Sequence, residues 1–521
     1  MKKIIKALSL LMALLMLAAC FAACGGGNGN DGDSDGPQET TDPEILAFRE
    51  RMGKLDFEGE TISFIVTGGD EDMEDDTLQS RSIALFDTTD LSYAVDSAIV
   101  SRNTAVEKEI NVKIDLKKCV GMQALSSTLQ ETLSTGLHEY DIVAGYQYFD
   151  IGLTIGENAG NFLNYETIDE EDNYIHLDQP YWDSYLYDAM TYKECAFWVT
   201  GDLSQTWVGS VSVSFVNKTL WDKYADTIAT LKPAHGISDI YEIVDKGYWT
   251  MDLIIEISKA IYSDDNDNDK IDLGDTVGYA SYSPSLNTTM TDVLAAGAHI
   301  TFSEMKDGVP TMSFKNNRTN LFASKLYSLY TSSKALLMEW QDKYIVELFA
   351  EGKILMTPNW MTRAETDLTE MTDIYLVLPP PLLIEGEKYT TQYGDSVSQY
   401  GIPYTTRDIA DKVAAATATL ETMAFYSKKM ITPVYYDQML KGRYTHVDAD
   451  SQKQAEIIDM IRDSKYTDFA MLWSNKMGNL TWFFRQSCTS NNLISEIESK
   501  NSAWINNLQK LLDEIEAAGW M

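Results

Sequence analysis

The sequence predicts an α/β fold with enough chain for two such units. Two observations carry this. From Phe57 onward, short β-like runs alternate with helical stretches, which is the mark of a βαβ architecture with a parallel sheet. The chain has 521 residues, more than a single hydrophobic core usually serves, so two domains are expected.

The elements follow in chain order. Lys2, Lys3 and Lys6 form a basic start, and an apolar run from Ala7 to Leu17 follows, too short for a transmembrane helix of about 20 residues. It ends in Leu17-Ala18-Ala19-Cys20, small residues before a cysteine. Residues 1–19 are therefore read as a signal peptide that resembles those of bacterial lipoproteins, with Cys20 as the lipidated residue. Phe21-Ala22-Ala23-Cys24 is a second, poorer match because Phe replaces the usual aliphatic residue. Gly25 to Gly36 holds only Gly, Asn, Asp and Ser, so residues 20–56 are expected to be a flexible, membrane-anchored tether and lead-in.

Within the body, Thr61–Val66 reads as a buried first strand. A helix over 94–109 follows, with Val95, Ile99 and Val106 on one side. Strands over 111–116 and 140–145 flank a helix over 122–137. The pattern resumes with a strand over 210–216, a helix over 253–262, and a strand over 373–378 that Pro379-Pro380-Pro381 stops by removing three backbone donors. Residues 414–426 form an Ala- and Thr-rich helix. Ligands of such sheets bind beyond the carboxyl ends of strands, which singles out Gly68 to Asp70 and Tyr146-Gln147-Tyr148-Phe149.

Composition narrows the function. The formal charge is −38, from 79 Asp and Glu against 41 Lys and Arg, which excludes nucleic acid as a partner because phosphate binding needs clustered cations. Cys119, Cys195 and Cys488 are an odd number at long spacings, so neither a disulfide framework nor a zinc site is indicated. The five histidines form no H-E-x-x-H, and there is no G-x-S-x-G elbow or P-loop. Paired carboxylates are too plentiful for any pair to mark a glycosidase.

Several ordered segments carry a resemblance. They are Tyr140-Asp-Ile-Val143, Gln179-Pro-Tyr-Trp-Asp183, Gly201-Asp202, Phe215-Val-Asn-Lys218, Gly247-Tyr-Trp-Thr250, Glu351-Gly-Lys353, Leu378-Pro-Pro-Pro381, Thr432-Pro-Val-Tyr-Tyr436 and Lys441-Gly-Arg-Tyr444. Together, over residues 57–475, they resemble the family 1 extracellular solute-binding proteins, specifically the clostridial-type sugar-binding lipoproteins of ABC importers. The resemblance implies a two-lobed periplasmic-binding-protein-like fold with a hinge and an interlobe cleft. It implies a first lobe of residues 57–200 plus 346–385 and a second of 201–345 plus 386–521, with hinges near Gly201, Ile345 and Leu383.

The implied role is capture of a carbohydrate and delivery to the permease subunits of an ABC transporter, from the extracytoplasmic face, held to the membrane through the lipid anchor only. That role is not enzymatic. A secreted glycoside-active enzyme and a surface adhesion lipoprotein are the alternatives. Sugars offer apolar faces and rings of hydroxyls, so aromatic platforms and planar polar groups are sought at the cleft. Trp207, Trp360 and Tyr148 are the expected platforms, and Asp70, Asp202 and Asn359 the expected hydroxyl partners. Trp182 and Trp249 are expected to be structural.

One acidic loop stands apart. Asp264, Asn266, Asn268, Asp272 and Asp275 occupy positions 1, 3, 5, 9 and 12 of a Ca²⁺-loop pattern, and Lys270 at position 7 would offer its carbonyl. Asp269 stands where Gly normally makes the sharp turn, and Asp tolerates that left-handed conformation better than most residues. No cofactor is required by this reading, and Ca²⁺ here would be structural, bracing the second lobe.

Overall fold

The computed structural model describes residues 42–67, 94–119, 124–155, 160–204, 209–286, 289–339, 344–366, 368, 371–394, 397–436, 451–487 and 492–519. Two sheets organise them. In the first, β1 (Glu60–Thr67) lies parallel between β2 (Val112–Cys119) and β3 (Ile142–Tyr146). In β1 and β3 the side chains alternate between two buried faces, whereas on the edge strand β2 Lys113, Asp115 and Lys117 are exposed. Ile62, Phe64 and Val66 cluster with Val106, Ile110, Leu420 and Met423, whereas Ile65 and Val143 cluster with Leu125 and Leu129. Cover on both faces at this point of the sheet explains why Phe64, Ile65 and Val66 are successive apolar residues.

The chain then leaves this sheet. Val199 still pairs with Tyr400 of the first lobe, and by Val211 the chain is entering β4 (Ser212–Asn217). β4 belongs to a second sheet with β5 (Thr276–Tyr282), β6 (Ile354–Trp360) and β7 (Tyr375–Leu378), in the order β7-β4-β6-β5, with the short strands 262–263 and 336–338 both pairing with β5. β5 and β6 are parallel, and β4 runs antiparallel to β6 and β7. After a second crossing, β8 (Ser398–Gly401) returns to the first sheet antiparallel to β3. Each sheet thus receives its one reversed main strand directly from the other lobe. The Lys412–Met430 helix packs on the first lobe, and the Ser451–Asp463 helix on β7, where Gln454 Nε2 donates to the Val377 carbonyl at 2.7 Å. These two helices therefore belong to different lobes.

The two-lobed α/β fold is as expected, but the lobe boundaries need correction. Residues 346–385, expected in the first lobe, supply β6 and β7 of the second sheet. Residues 398–430, expected in the second lobe, supply β8 and a helix to the first. Alternating strands and helices reveal strands without naming their partners. Here the partner was decided by the Ala415, Ala416 and Ala418 face of the 412–430 helix, whose small side chains lie buried in the first-lobe core. No crossing occurs at Ile345, because the Ile345–Ala350 helix leads straight into β6. Of the other two expected hinges, Gly201 lies at the start of the first crossing, but Leu383 does not lie in one: Leu382 bridges Thr250, its amide donates to the Trp249 carbonyl, and the Leu383 carbonyl accepts from Lys325, all within the second lobe.

The lead-in is also more ordered than expected. Asp42 caps a helix over Pro43–Met52, accepting from the Glu44 and Ile45 amides, and Phe48 and Met52 are buried against the first lobe. No described helix is long and apolar enough to cross a membrane. Residues 1–41, including Cys20, lie outside the described residues.

Candidate functional site

Strand direction places the site. β1, β2 and β3 end at Thr67, Cys119 and Tyr146, and antiparallel β8 begins at the same edge with Ser398 opposite Tyr146. In the second sheet, β6 ends at Trp360 and β4 begins opposite it at Ser212. The chain passes between these two carboxyl edges through the first two crossings, so both edges front the space between the lobes. That is where open α/β sheets hold ligands, because loops diverge there.

On the second-lobe edge, aromatic groups gather. Tyr282 and Tyr344 rings lie 6.4 Å apart, the Ile345 amide donates to the Tyr282 hydroxyl at 3.2 Å, and the Arg363 guanidinium sits 5.5 Å over the Tyr344 ring. Trp360 is half-buried beside Gly394 of the second crossing, where a Cβ would lie 3.3 Å from its ring. The Gly394 amide in turn donates to the carbonyl of Ser210 on the first crossing at 2.7 Å. Trp360 thus sits where two crossings meet the sheet edge.

On the first-lobe edge, Tyr148 follows β3 directly. Its ring lies parallel to Trp482, centroids 5.8 Å apart, its hydroxyl donates to Asn479 Oδ1 at 3.1 Å, and its carbonyl accepts from Asn475 Nδ2 at 2.7 Å. Gln147 Nε2 donates to the Leu472 carbonyl. Trp482 is itself held on the second-lobe side, since Arg485, one helical turn on, makes a buried bidentate pair with Asp292 at 2.5–3.1 Å. Tyr148 and Trp482 therefore bring the lobes together.

The remaining expected residues have different surroundings. Asn359 pairs with Val213 in the ladder and turns its Oδ1 to the Trp360 amide at 2.9 Å. Asp202 is buried among the crossings, accepting from Thr432 Oγ1 at 3.1 Å with Lys428 Nζ at 3.5 Å. Desolvation outweighs both partners and pushes its carboxyl up to about 6. Near it, Asp183 accepts from the Tyr393 hydroxyl at 2.5 Å, and half-buried Lys465 lies 4.8 Å over the Tyr393 ring, desolvation bringing its ammonium down to about 8. Trp207 and Asp70 lie outside the described residues. Trp182 and Trp249 are structural as expected, both buried, with indole N–H groups donating to Glu421 at 2.7 Å and the Pro379 carbonyl at 2.9 Å.

Tyr282, Tyr344, Arg363 and Trp482 were not singled out by sequence. Trp482 lies in a helical Leu-Thr-Trp-Phe-Phe run that looks like any core face, and its placement depends on the distant Arg485–Asp292 pair.

The acidic loop joins the 262–263 strand to β5. Asp264 accepts from the Asn268 and Asp269 amides at 3.1 and 2.7 Å, and Asp275 from the Asp265 and Asp272 amides at 3.3 and 3.0 Å. Asp272 takes the side-chain amides of Asn266 and Asn268 at 2.9 and 2.5 Å, and the Lys270 carbonyl accepts from Tyr262 at 3.0 Å. Asp267 and Asp269 adopt φ of 56° and 58°, so Asp269 does take the left-handed turn. Among the described residues, no group of three or more His, Cys, Asp or Glu is arranged to hold a metal.

No protein family matches the chain by sequence profile, and no curated protein matches it. Solved structures do match its fold. A cyclic α-maltosyl-1,6-maltose binding protein from Arthrobacter globiformis is 13% identical with a TM-score of 0.52, over 87% of this chain and 99% of the other. The galacto-N-biose/lacto-N-biose I-binding protein of the ABC transporter from Bifidobacterium longum, in complex with lacto-N-biose, is 12% identical with a TM-score of 0.51, over 89% and 99%. The maltose/maltodextrin-binding domain from Bdellovibrio bacteriovorus, bound to maltotriose, is 12% identical with a TM-score of 0.50, over 87% and 100%. The likeness is to the whole two-lobed architecture.

Proposed function

We propose that this protein is the solute-binding receptor of an ABC importer, that it takes a carbohydrate between its lobes, and that Cys20 anchors it by lipid to the extracytoplasmic face. One observation carries the binding role: the carboxyl edges of both sheets front the same interlobe space, with half-buried Trp360 and Tyr344 on the second-lobe edge and Tyr148, itself buried against Trp482, on the first. Aromatic faces suit the apolar faces of pyranose rings. The solved structures of like fold, two of them recorded with bound sugars, favour carbohydrate over other solutes. Rotation about the crossings would let ligand select the closed arrangement, the form suited to docking on permease subunits.

Titration calorimetry with maltotriose and lacto-N-biose as probes tests the reading. Saturable binding without release of reducing ends is expected for at least one of them, with Trp360→Ala weakening it about tenfold or more, as loss of a ring platform worth about 1.4 kcal/mol requires. Release of reducing ends would overturn it in favour of a glycoside-active enzyme.

The loop over 264–275 is, in the same reading, a Ca²⁺ brace for the second lobe. Turning over the side-chain amides of Asn266 and Asn268 would set their oxygens against the Asp272 carboxylate, an arrangement that needs a cation between them. Asp264, Asn266, Asn268, Asp272, Asp275 and the Lys270 carbonyl would hold it. Millimolar CaCl₂ is expected to raise the melting temperature over an EGTA control in the wild type and not in Asp264→Ala. A wild type indifferent to both additions would end the proposal.

A further inference from the structure

The last helix, Leu493–Gly519, has 27 residues and is therefore about 40 Å long at 1.5 Å per residue, enough to reach from one lobe to the other. Its first half is fixed to the second lobe. Trp504 packs on Phe483 and Phe314 with centroids 5.0 and 6.2 Å apart, Ile497 and Leu508 are buried, and Glu498 lies 3.0 Å from Lys315. Phe314 in turn stacks edgewise on Phe302, whose amide donates to Asp468.

Its last turn rests on the first lobe. Asn164 Nδ2 donates to the Gly519 carbonyl at 3.2 Å, and Glu516 pairs with Lys193 at 2.8 Å. Gly519 backs onto Cys195 so closely that any Cβ would overlap the sulfur, and a Cβ on Gly160 would lie 2.9 Å from the Ala518 carbonyl oxygen. These receiving residues are first-lobe residues by their backbone bonds: the Leu163 amide donates to the Ile402 carbonyl, the Tyr165 amide to the Ala196 carbonyl, and Val199 pairs with Tyr400 next to β3.

We propose that this helix is a strap between the lobes, permanently seated on the second and releasably docked on the first through residues 516–519, so that undocking accompanies lobe rotation. A hydrogen-bonded helix has fixed length, so it cannot follow two anchor points that move apart about the crossings. The asymmetry of the anchors decides which one releases. The second-lobe anchor is an aromatic cluster, whereas among the described residues the first-lobe end shows an ion pair 49% and 41% exposed at its two ends, one hydrogen bond and the close packing of Ala518 and Gly519, with Ile515 buried one turn before them. An exposed ion pair of this kind contributes little.

Because the docked end covers Cys195, the thiol reports release without any ligand, which keeps the test separate from the proposed sugar binding. In the full chain with cysteines 20, 24, 119 and 488 replaced by serine, N-ethylmaleimide should modify Cys195 slowly. Deleting residues 516–521 should raise that rate at least tenfold and also shift the small-angle scattering profile toward more separated lobes. Gly160→Val, which crowds the docked end from the first-lobe side and leaves the helix sequence intact, should do the same in smaller measure and decides the matter if the deletion does not fold by circular dichroism. Faster labelling with an unchanged scattering profile would mean that the helix end merely covers a thiol, and unchanged labelling in folded Gly160→Val would mean that the end does not dock as described. Either result overturns the strap.

Discussion

Replacing Glu421 by alanine is expected to destabilise the protein by about 3–5 kcal/mol, the cost of removing one partner from a buried charged network. Glu421 lies in the middle of the Lys412–Met430 helix and is fully buried. Its carboxylate accepts from the Tyr181 hydroxyl, from Trp182 Nε1 at 2.7 Å and from the His176 amide at 3.1 Å, and Arg51 Nη2 reaches it at 3.4 Å. It therefore ties the lead-in helix, the 174–182 segment and the returning 412–430 helix into one lobe. Alanine would deprive the buried Tyr181 hydroxyl and Trp182 indole N–H of that acceptor, whereas Glu421→Gln keeps the shape and should lose less. Urea unfolding followed by tryptophan fluorescence measures both, and a loss under about 1 kcal/mol for alanine would show that water replaces the carboxylate cheaply.

The same site gives a pH signature. His176 lies 3.2 Å from Glu421, which raises its pKa above the ordinary 6.5, against partial burial that lowers it. The folded state thus holds this proton more tightly than the unfolded chain. Its stabilising contribution is fully present below about pH 6.5 and is lost as pH rises through the raised folded value. In Glu421→Gln that portion of the stability–pH curve should flatten.

What the sequence made legible follows from how local each signal is. The strands at 60–67 and 142–146 and the helices at 94–110 and 251–260 were readable because apolar runs and helical periodicity are written into contiguous residues. Partnership was not. Gln399 and Tyr400 look like loop residues among Gly394, Ser396 and Ser398, yet they form a strand because β3 offers them an open edge. β6 carries Pro358 near its end and still pairs on both sides, and nothing in its residues says that β4 will run against it. The site was half legible for the same reason: Tyr148 follows a strand that the sequence shows, Trp360 ends a strand that it does not, and Trp482 is brought to Tyr148 by a C-terminal segment whose course depends on contacts some 190 residues apart in sequence, Arg485 with Asp292.

Gly201→Ala should produce the second large effect, and here the sequence pointed to the right place but not to the reason. The family resemblance implies a hinge near Gly201 without saying why a glycine stands there. The structure indicates a need for space. Gly201 bridges Trp182, and a Cβ would overlap the Tyr181 carbonyl oxygen and lie 2.9 Å from the Trp182 Cα. Both neighbours are backbone atoms, so no side chain can swing away. Overpacking against such atoms falls at the upper end of its usual range, about 3 kcal/mol. The strain would not stay local, because the Trp182 indole is a donor to Glu421 and the Asp202 amide donates to that same Tyr181 carbonyl. Separating the 181–182 and 201–202 segments would therefore loosen the start of the first crossing together with the Glu421 network. The expected result is a lowered urea midpoint for Gly201→Ala, with Gly201→Ala and Glu421→Ala costing less together than the sum of each alone, since both act on the Tyr181-Trp182 segment. Strict additivity in that double-mutant cycle would separate the crossing from the network and leave the glycine as a packing constraint of the hinge alone.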